Sequence, residues 1–92
     1  MKAQVIKVDG TIVEVEPKNG TDFSLEEMYE HTGCSMVQFA NAKDGRMMIV
    51  DEEGKMFGKE INQAATKLYQ YGEHPGYELV GDILICSPEQ IN

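Results

Sequence analysis

The chain has 92 residues, of which 41% are hydrophobic and 26% are charged, a balance typical of one globular domain. No stretch approaches the roughly 18 consecutive apolar residues that a membrane span needs, so we expect no membrane partner. The formal net charge of −8 repels phosphates and argues against direct nucleic-acid binding. The N-terminal residues alternate apolar and polar side chains, unlike a secretory signal, and we therefore expect a single soluble, cytoplasmic domain over residues 1–92.

The first two predicted strands are joined by Asp9-Gly10, a pair typical of two-residue hairpin turns. Such a turn brings Ile6 opposite Val13 and predicts that their face of the hairpin belongs to the core. Pro17 has no amide hydrogen to donate and is therefore expected to end the second strand.

The first helix is predicted to run from Leu25 to Thr32. Ser24 before it and Glu27 three residues later form a capping box, and Phe23 is placed to pack on Met28. Helical spacing divides the helix into a sheet-facing set, Leu25, Met28, Tyr29 and Thr32, and a solvent-facing set, Glu26, Glu27 and Glu30.

The second half of the chain predicts a meander, a helix and a closing strand. Asp44-Gly45 joins strands at 36–42 and 46–50, and a turn at Glu53-Gly54 leads into a short strand at 55–57. Asn62 caps a second helix, which Gly72 ends. The last strand, at 78–86, is apolar on both faces and is predicted to be central or covered by a helix. The fold class is α+β, a mainly antiparallel sheet with two helices in the order ββαβββαβ.

Three consecutive acids, Asp51, Glu52 and Glu53, are more typical of a solvated turn than of a cation site, because the calcium-loop spacing is missing. His31 and His74 belong to no complete set of Cys and His ligands at zinc-binding spacing. We therefore expect no metal, no cofactor, no catalytic residue and no enzymatic activity.

The two cysteines, Cys34 and Cys86, are too far apart in sequence for a paired metal motif. Each falls in an apolar segment. We expect two buried, reduced thiols, with a disulfide or a reactive thiol as the alternatives.

Seven acids are candidates for a partner-binding face: Asp22, Glu26, Glu27, Glu30, Asp51, Glu52 and Glu53. Such a face could engage a basic surface of a host protein, as a sparse imitation of a line of phosphates. Ordinary solvation of a charged surface explains the same acids, and both interpretations stay open.

The alternative is a site for a nucleotide or similar small anion, with candidate residues Asn62, Gln63, Ala64, Tyr69 and Tyr71. Backbone amides at the start of the second helix could approach an anion, and tyrosine rings could stack on it. An ordinary helix cap and core packing of Tyr69 explain these residues as well, and the neighbouring Glu60 opposes an anion.

Met47 and Met48 lie on opposite faces of one predicted strand. One explanation is a second, Met-rich face, which Met36, Met56 and Phe57 could join and which serves a homodimer or an adaptable interface. The other is plain burial under a helix.

Four segments of the chain form a recognisable set: Val8-Asp9-Gly10, Asp51-Glu52-Glu53-Gly54-Lys55, Asn62 with Ala65-Thr66-Lys67-Leu68-Tyr69, and Val80-Gly81-Asp82-Ile83-Leu84-Ile85-Cys86. Together they resemble a family of small proteins of bacteria, their phages and mobile elements, catalogued as domain of unknown function thirty-eight forty-six. The resemblance covers nearly the whole chain and departs from the family pattern at Gly33-Cys34, where Gly-Gly is common, and in the loop at 72–77. It implies a phage or mobile-element context in a bacterial host cell, and it carries no catalytic signature.

Three hypotheses follow. The first is a non-enzymatic accessory protein of phage or mobile-element type that binds a host protein through an acidic surface and inhibits it, for example a defence protein. The second is a protein that sequesters a nucleotide or another small ligand. The third is a structural or regulatory module.

Overall fold

The computed structural model describes residues 3–91, and within them the chain forms five strands and two helices in the order β-β-α-β-β-α-β. The predicted α+β class is therefore confirmed. The elements are β1 (Ala3–Ile6), β2 (Ile12–Val15), α1 (Leu25–Thr32), β3 (Val37–Asn41), β4 (Met47–Asp51), α2 (Gln63–Leu68) and β5 (Ile83–Cys86), followed by a 3-10 turn (Pro88–Gln90).

The sheet has the strand order β2-β1-β5-β4-β3, and each neighbouring pair is antiparallel. The last strand along the chain is thus the middle strand in space. Its residues Ile83, Leu84 and Ile85 are fully buried, as their continuous apolar run predicted. Burying each such side chain contributes about 1.5–3 kcal/mol, so β5 holds the two halves of the sheet together.

Apolar clusters cover both faces of the sheet. The cluster on the α1 face contains Ala3, Val5, Phe23, Met28, Ile49, Leu84 and Cys86. The cluster on the α2 face contains Ile6, Ala42, Met48, Val50, Ala65, Leu79, Ile83 and Ile85. Met48 is fully buried on the α2 face and Met47 packs half-buried on the α1 face, which matches the burial explanation for these two methionines.

The two Asp-Gly turns are three-residue loops, and the predicted register of the first hairpin was wrong by one residue. Ile6 pairs with Ile12, and Val13 pairs with Val5 on the α1 face. A two-residue turn of the predicted type needs positive φ at both central residues, but in this hairpin only Gly10 has it, at +90°. The carboxylate of Asp9 instead accepts a hydrogen bond from the Thr11 amide, 2.8 Å away.

The turn at Asp44-Gly45 has the same construction and joins β3 to β4 as predicted. Gly45 has φ +90°, and the Arg46 amide donates to the Asp44 carboxylate at 3.1 Å. These hydrogen bonds lower the pKa of both Asp9 and Asp44.

The short strand predicted at 55–57 does not form, because residues 52–58 coil through successive turns. The Phe57 amide donates to the Glu53 carbonyl at 3.1 Å, and the Lys59 amide donates to the Gly54 carbonyl at 3.0 Å. In a strand, these main-chain groups would instead point toward a neighbouring strand. The loop is therefore compact, and it presents Met56 and Phe57 to solvent.

Helix α1 has the predicted bounds and the predicted capping box of Ser24 and Glu27. Leu25 was predicted to face the sheet, but its side chain is 52% exposed, so this part of the prediction was wrong. Helix α2 begins at the predicted Asn62 cap but ends at Leu68, before Gly72. Neither helix among residues 3–91 has the length and apolar character needed to cross a membrane.

Candidate functional site

The exposed acids of α1 are Glu26 and Glu30, which lie one helical turn apart on the same side of the helix. The only ion pair of Glu30 within residues 3–91 is with Lys18, at 3.8 Å, and both side chains are largely exposed. Such surface pairs contribute little to stability. Within the described part of the chain, neither carboxylate is therefore held by a buried partner.

Glu27, by contrast, is buried, so its predicted exposure to solvent was wrong. Its carboxylate accepts hydrogen bonds from the amides of Ser24, at 3.0 Å, and Lys18, at 2.9 Å. These bonds favour the ionised form and lower the pKa of Glu27. Glu27 fixes the start of α1 and the preceding loop.

Asp51 is likewise held inside the fold. Its side chain is 3% exposed, and Oδ2 lies 2.7 Å from Nζ of Lys59. Lys59 also donates to the carbonyls of Thr32, at 3.3 Å, and Gly33, at 3.0 Å, at the end of α1. The Asp51–Lys59 pair thus joins the end of β4 to the end of α1, and each charge offsets the other.

A cleft of about 620 Å³ opens beside this ion pair, between the end of α1 and the loop at 52–58. We call it the acidic cleft, and it is lined by Tyr29, Glu30, Gly33, Cys34, Ser35, Asp51, Glu53, Phe57 and Lys59. The structure therefore brings together three of the seven predicted acids, from two segments of the chain.

Four of the seven predicted acids do not line the acidic cleft; two of them are on α1, and the other two lie elsewhere. Glu52 lines a smaller cleft of about 190 Å³, together with Lys55 and Tyr77. Asp22 accepts a hydrogen bond from the Asn19 side chain at 2.7 Å. The seven predicted acids do not form one continuous face.

Phe57 and Met56 were predicted only as possible members of a Met-rich face, and their position beside the acids of the cleft was not predicted. Phe57 is 68% exposed and Met56, next to it, is 74% exposed. Two glycines, Gly54 and Gly58, bracket these residues and are the one signal that could have indicated a loop displaying apolar side chains.

Asn62, the first residue of the predicted ligand site, is fully buried. Its Nδ2 donates to the carbonyls of Ile6, at 2.8 Å, and Gly81, at 2.9 Å, while Oδ1 accepts from the Ala65 amide at 3.0 Å. The side chain is therefore fully engaged in fixing α2 to the end of β1. Gln63 is exposed and Ala64 is half-buried against the α2-face cluster.

The predicted tyrosines lie at the other end of α2. Tyr69 is half-buried against the α2-face cluster, and its ring meets that of Tyr71 edge-on, with centroids 5.8 Å apart. Tyr71 also neighbours His74 and Tyr77, at 6.3 and 5.9 Å. The two parts of the predicted ligand site are thus separated by the length of α2, and the ligand site stays a prediction.

Both cysteines are free thiols. Cys86 is buried as predicted, and burial raises its pKa to about 11. Cys34 is half-buried at the acidic cleft, with Sγ 2.9 Å from the Thr32 hydroxyl. Within residues 3–91, no group of three or more His, Cys, Asp or Glu side chains is arranged to hold a metal ion.

A family model described as a domain of unknown function, DUF3846, matches residues 1–92. Neither curated proteins nor solved structures gave a match. The match spans the chain from its first residue to its last, so the chain belongs to the DUF3846 family.

Proposed function

We propose that the protein is a non-enzymatic accessory protein of phage or mobile-element type that binds a basic surface of a host protein in the bacterial cytoplasm. In this proposal, binding inhibits the host protein, which is a component of host defence. The origin and the target class rest on the family resemblance, whereas the mode of binding rests on the surface of the fold.

The observation that carries the proposal is the division of the acids into two groups. The fold uses Glu27 and Asp51 internally, but it leaves Glu30 and Glu53 at the acidic cleft. Glu26 is exposed on α1, one helical turn before Glu30. With a net charge of −8, this surface attracts a basic partner over a distance of about one Debye length, roughly 8–10 Å in physiological salt.

Apolar surface next to these acids supplies the second element of an interface. The exposed side chains of Met56 and Phe57 stand on the loop that carries Glu53. Protein interfaces commonly combine an aromatic or methionine centre with a charged rim. The cleft and its loop together have this composition.

The proposal is tested by capturing the tagged protein from a lysate of its own host, with a charge-reversed variant beside it. Glu26→Lys with Glu30→Lys is expected to abolish capture of the host protein, and capture by the original chain is expected to weaken as salt is raised. The melting temperature of the variant is expected to stay nearly unchanged, because both side chains are exposed.

The matched control changes the charge equally on another part of the surface. Glu14 and Glu16 are exposed, and Glu14 lies opposite Gln4 on the edge strand β2. The variant Glu14→Lys with Glu16→Lys is expected to keep the partner. If both double variants lose it equally, only net charge matters and the proposed surface is wrong.

A further inference from the structure

We propose that the acidic cleft receives an arginine side chain of the basic partner; this inference rests on the proposed function and names the group that the cleft recognises. The cleft combines two carboxylates, Glu30 and Glu53, with two aromatic rings, Tyr29 and Phe57. A guanidinium group is the side chain that uses both features at once, through paired hydrogen bonds and stacking.

The charge of the cleft comes from Glu30 and Glu53. Asp51 also lines the cleft, but the Lys59 ammonium 2.7 Å away balances its charge. Within residues 3–91, the half-buried Glu53 carboxylate takes part in no hydrogen bond or ion pair, and Glu30 has only its exposed pair with Lys18. The cleft therefore offers uncompensated negative charge to a cation.

The aromatic rings favour arginine over lysine. Phe57 is largely exposed and Tyr29 is half-buried at the same cleft. A guanidinium plane stacks on such rings and is more weakly hydrated than an ammonium group, so it loses less on leaving water.

The loop that carries two of these groups is already ordered by its own main chain. The Phe57 amide donates to the Glu53 carbonyl, which places the two residues four positions apart on a single helical turn. Lys59 fastens the end of the same loop to Asp51 and to the end of α1. A cleft held in this way binds with a small ordering cost.

The test is an NMR titration of the full chain with three blocked amino acids as probes: N-acetyl-arginine amide, its lysine counterpart and its citrulline counterpart. Citrulline has the shape of arginine without the charge. Arginine is expected to shift the Phe57 ring and Glu53 side-chain resonances in a saturable manner. Lysine is expected to bind more weakly, and citrulline is expected to leave these resonances in place.

Two variants locate the effect. Phe57→Leu removes the ring but keeps an apolar side chain, and it is expected to weaken arginine binding about two- to fivefold, the contribution of an exposed cation–π contact. Glu53→Gln is expected to weaken it by a comparable factor, whereas the neighbouring Glu52→Gln is expected to have no effect because Glu52 lines another cleft.

Equal shifts with citrulline, or shifts that avoid Phe57, would overturn the arginine site. Equal losses in Glu52→Gln and Glu53→Gln would do the same, because they would indicate general attraction to an acidic surface. The titration uses no cellular partner, so its failure leaves the charge-reversal experiment to decide the proposed function separately.

Discussion

Two acids of α1 show how differently the same side chain is used in this molecule. Glu27, at the start of the helix, is buried and accepts two main-chain hydrogen bonds, whereas Glu30, three residues later, is exposed and lines the acidic cleft. Asp51 and Glu53 repeat the contrast two residues apart. The acidic surface therefore consists of the acids that the folded chain does not hold in internal contacts.

The largest effect is expected when the buried ion pair is broken. Lys59→Met keeps most of the apolar stem but leaves the buried Asp51 carboxylate without its cation, and the free energy of unfolding is expected to fall by about 3–5 kcal/mol. Urea denaturation measures this. Lys18→Met, which removes the exposed pair with Glu30, is the control and is expected to change stability by less than about 1 kcal/mol. Similar losses of stability in both variants would contradict the contrast between the buried and the exposed ion pair.

Asn62 is also a polar side chain held inside the fold, but it carries an amide and no charge. Asn62→Asp keeps an oxygen that can cap α2, but it can no longer donate to the carbonyls of Ile6 and Gly81. Although Asp and Asn are equally good caps, the substitution is expected to destabilise the protein by about 2–4 kcal/mol, because two buried carbonyls lose their donor and a carboxylate is buried. Thermal unfolding measures the change, and an unchanged melting temperature would show that Asn62 acts as a cap alone.

The contribution of Glu27 to the stability of the folded protein is expected to depend on pH. Its pKa in the folded protein is lowered, so its contribution to stability is fully present above about pH 4.5, the ordinary value for a Glu side chain, and is lost as the pH falls through the lowered folded pKa. The variant Glu27→Gln can still form the capping box but does not titrate.

The measurement for Glu27 is the difference in urea midpoint between the original chain and Glu27→Gln from pH 7 to pH 3. The excess stability of the original chain is expected to shrink as the pH drops below about 4.5. Asp9 and Asp44 also have lowered pKa values, but they are present in both proteins and cancel. A difference independent of pH would contradict the assigned hydrogen bonds.

The smallest effect on stability is expected at the acids of the cleft. Glu30→Gln and Glu53→Gln, singly or together, are expected to change the free energy of unfolding by less than about 0.5 kcal/mol, because neither carboxylate is held by buried partners. The same urea measurement as for Lys59→Met tests this. If the free energy of unfolding fell as much as in Lys59→Met, these two acids would stabilise the fold in the way that Asp51 does, and the contrast would be wrong.

The features that depend on residues close together in sequence were predictable. The cap of α1 by Ser24 and Glu27, the cap of α2 by Asn62 and the central position of β5 are each encoded within a few positions. The capping box also implied that the Glu27 carboxylate turns back toward the helix start, so its burial could have been inferred from the same motif.

The features that were not predicted have two causes. Some turn sequences suit more than one loop length, and some side chains depend on partners that are distant along the chain. Asp9-Gly10 suits both a two-residue and a three-residue loop, and the choice shifts the strand register by one. The role of Asp51 is set by Lys59 and, through it, by the carbonyls of Thr32 and Gly33. Spacing along the chain does not indicate such contacts, and so it could not separate the internal acids from the free ones.

The most direct test of the binding surface is hydrogen–deuterium exchange of the protein alone and in complex with the captured host protein. Amides of α1 and of the loop at 52–58 are expected to be protected in the complex, while the segment at 69–77 is expected to exchange as before. Protection confined to 69–77, or to the edge strand β2, would contradict the assignment of the interface to the acidic cleft.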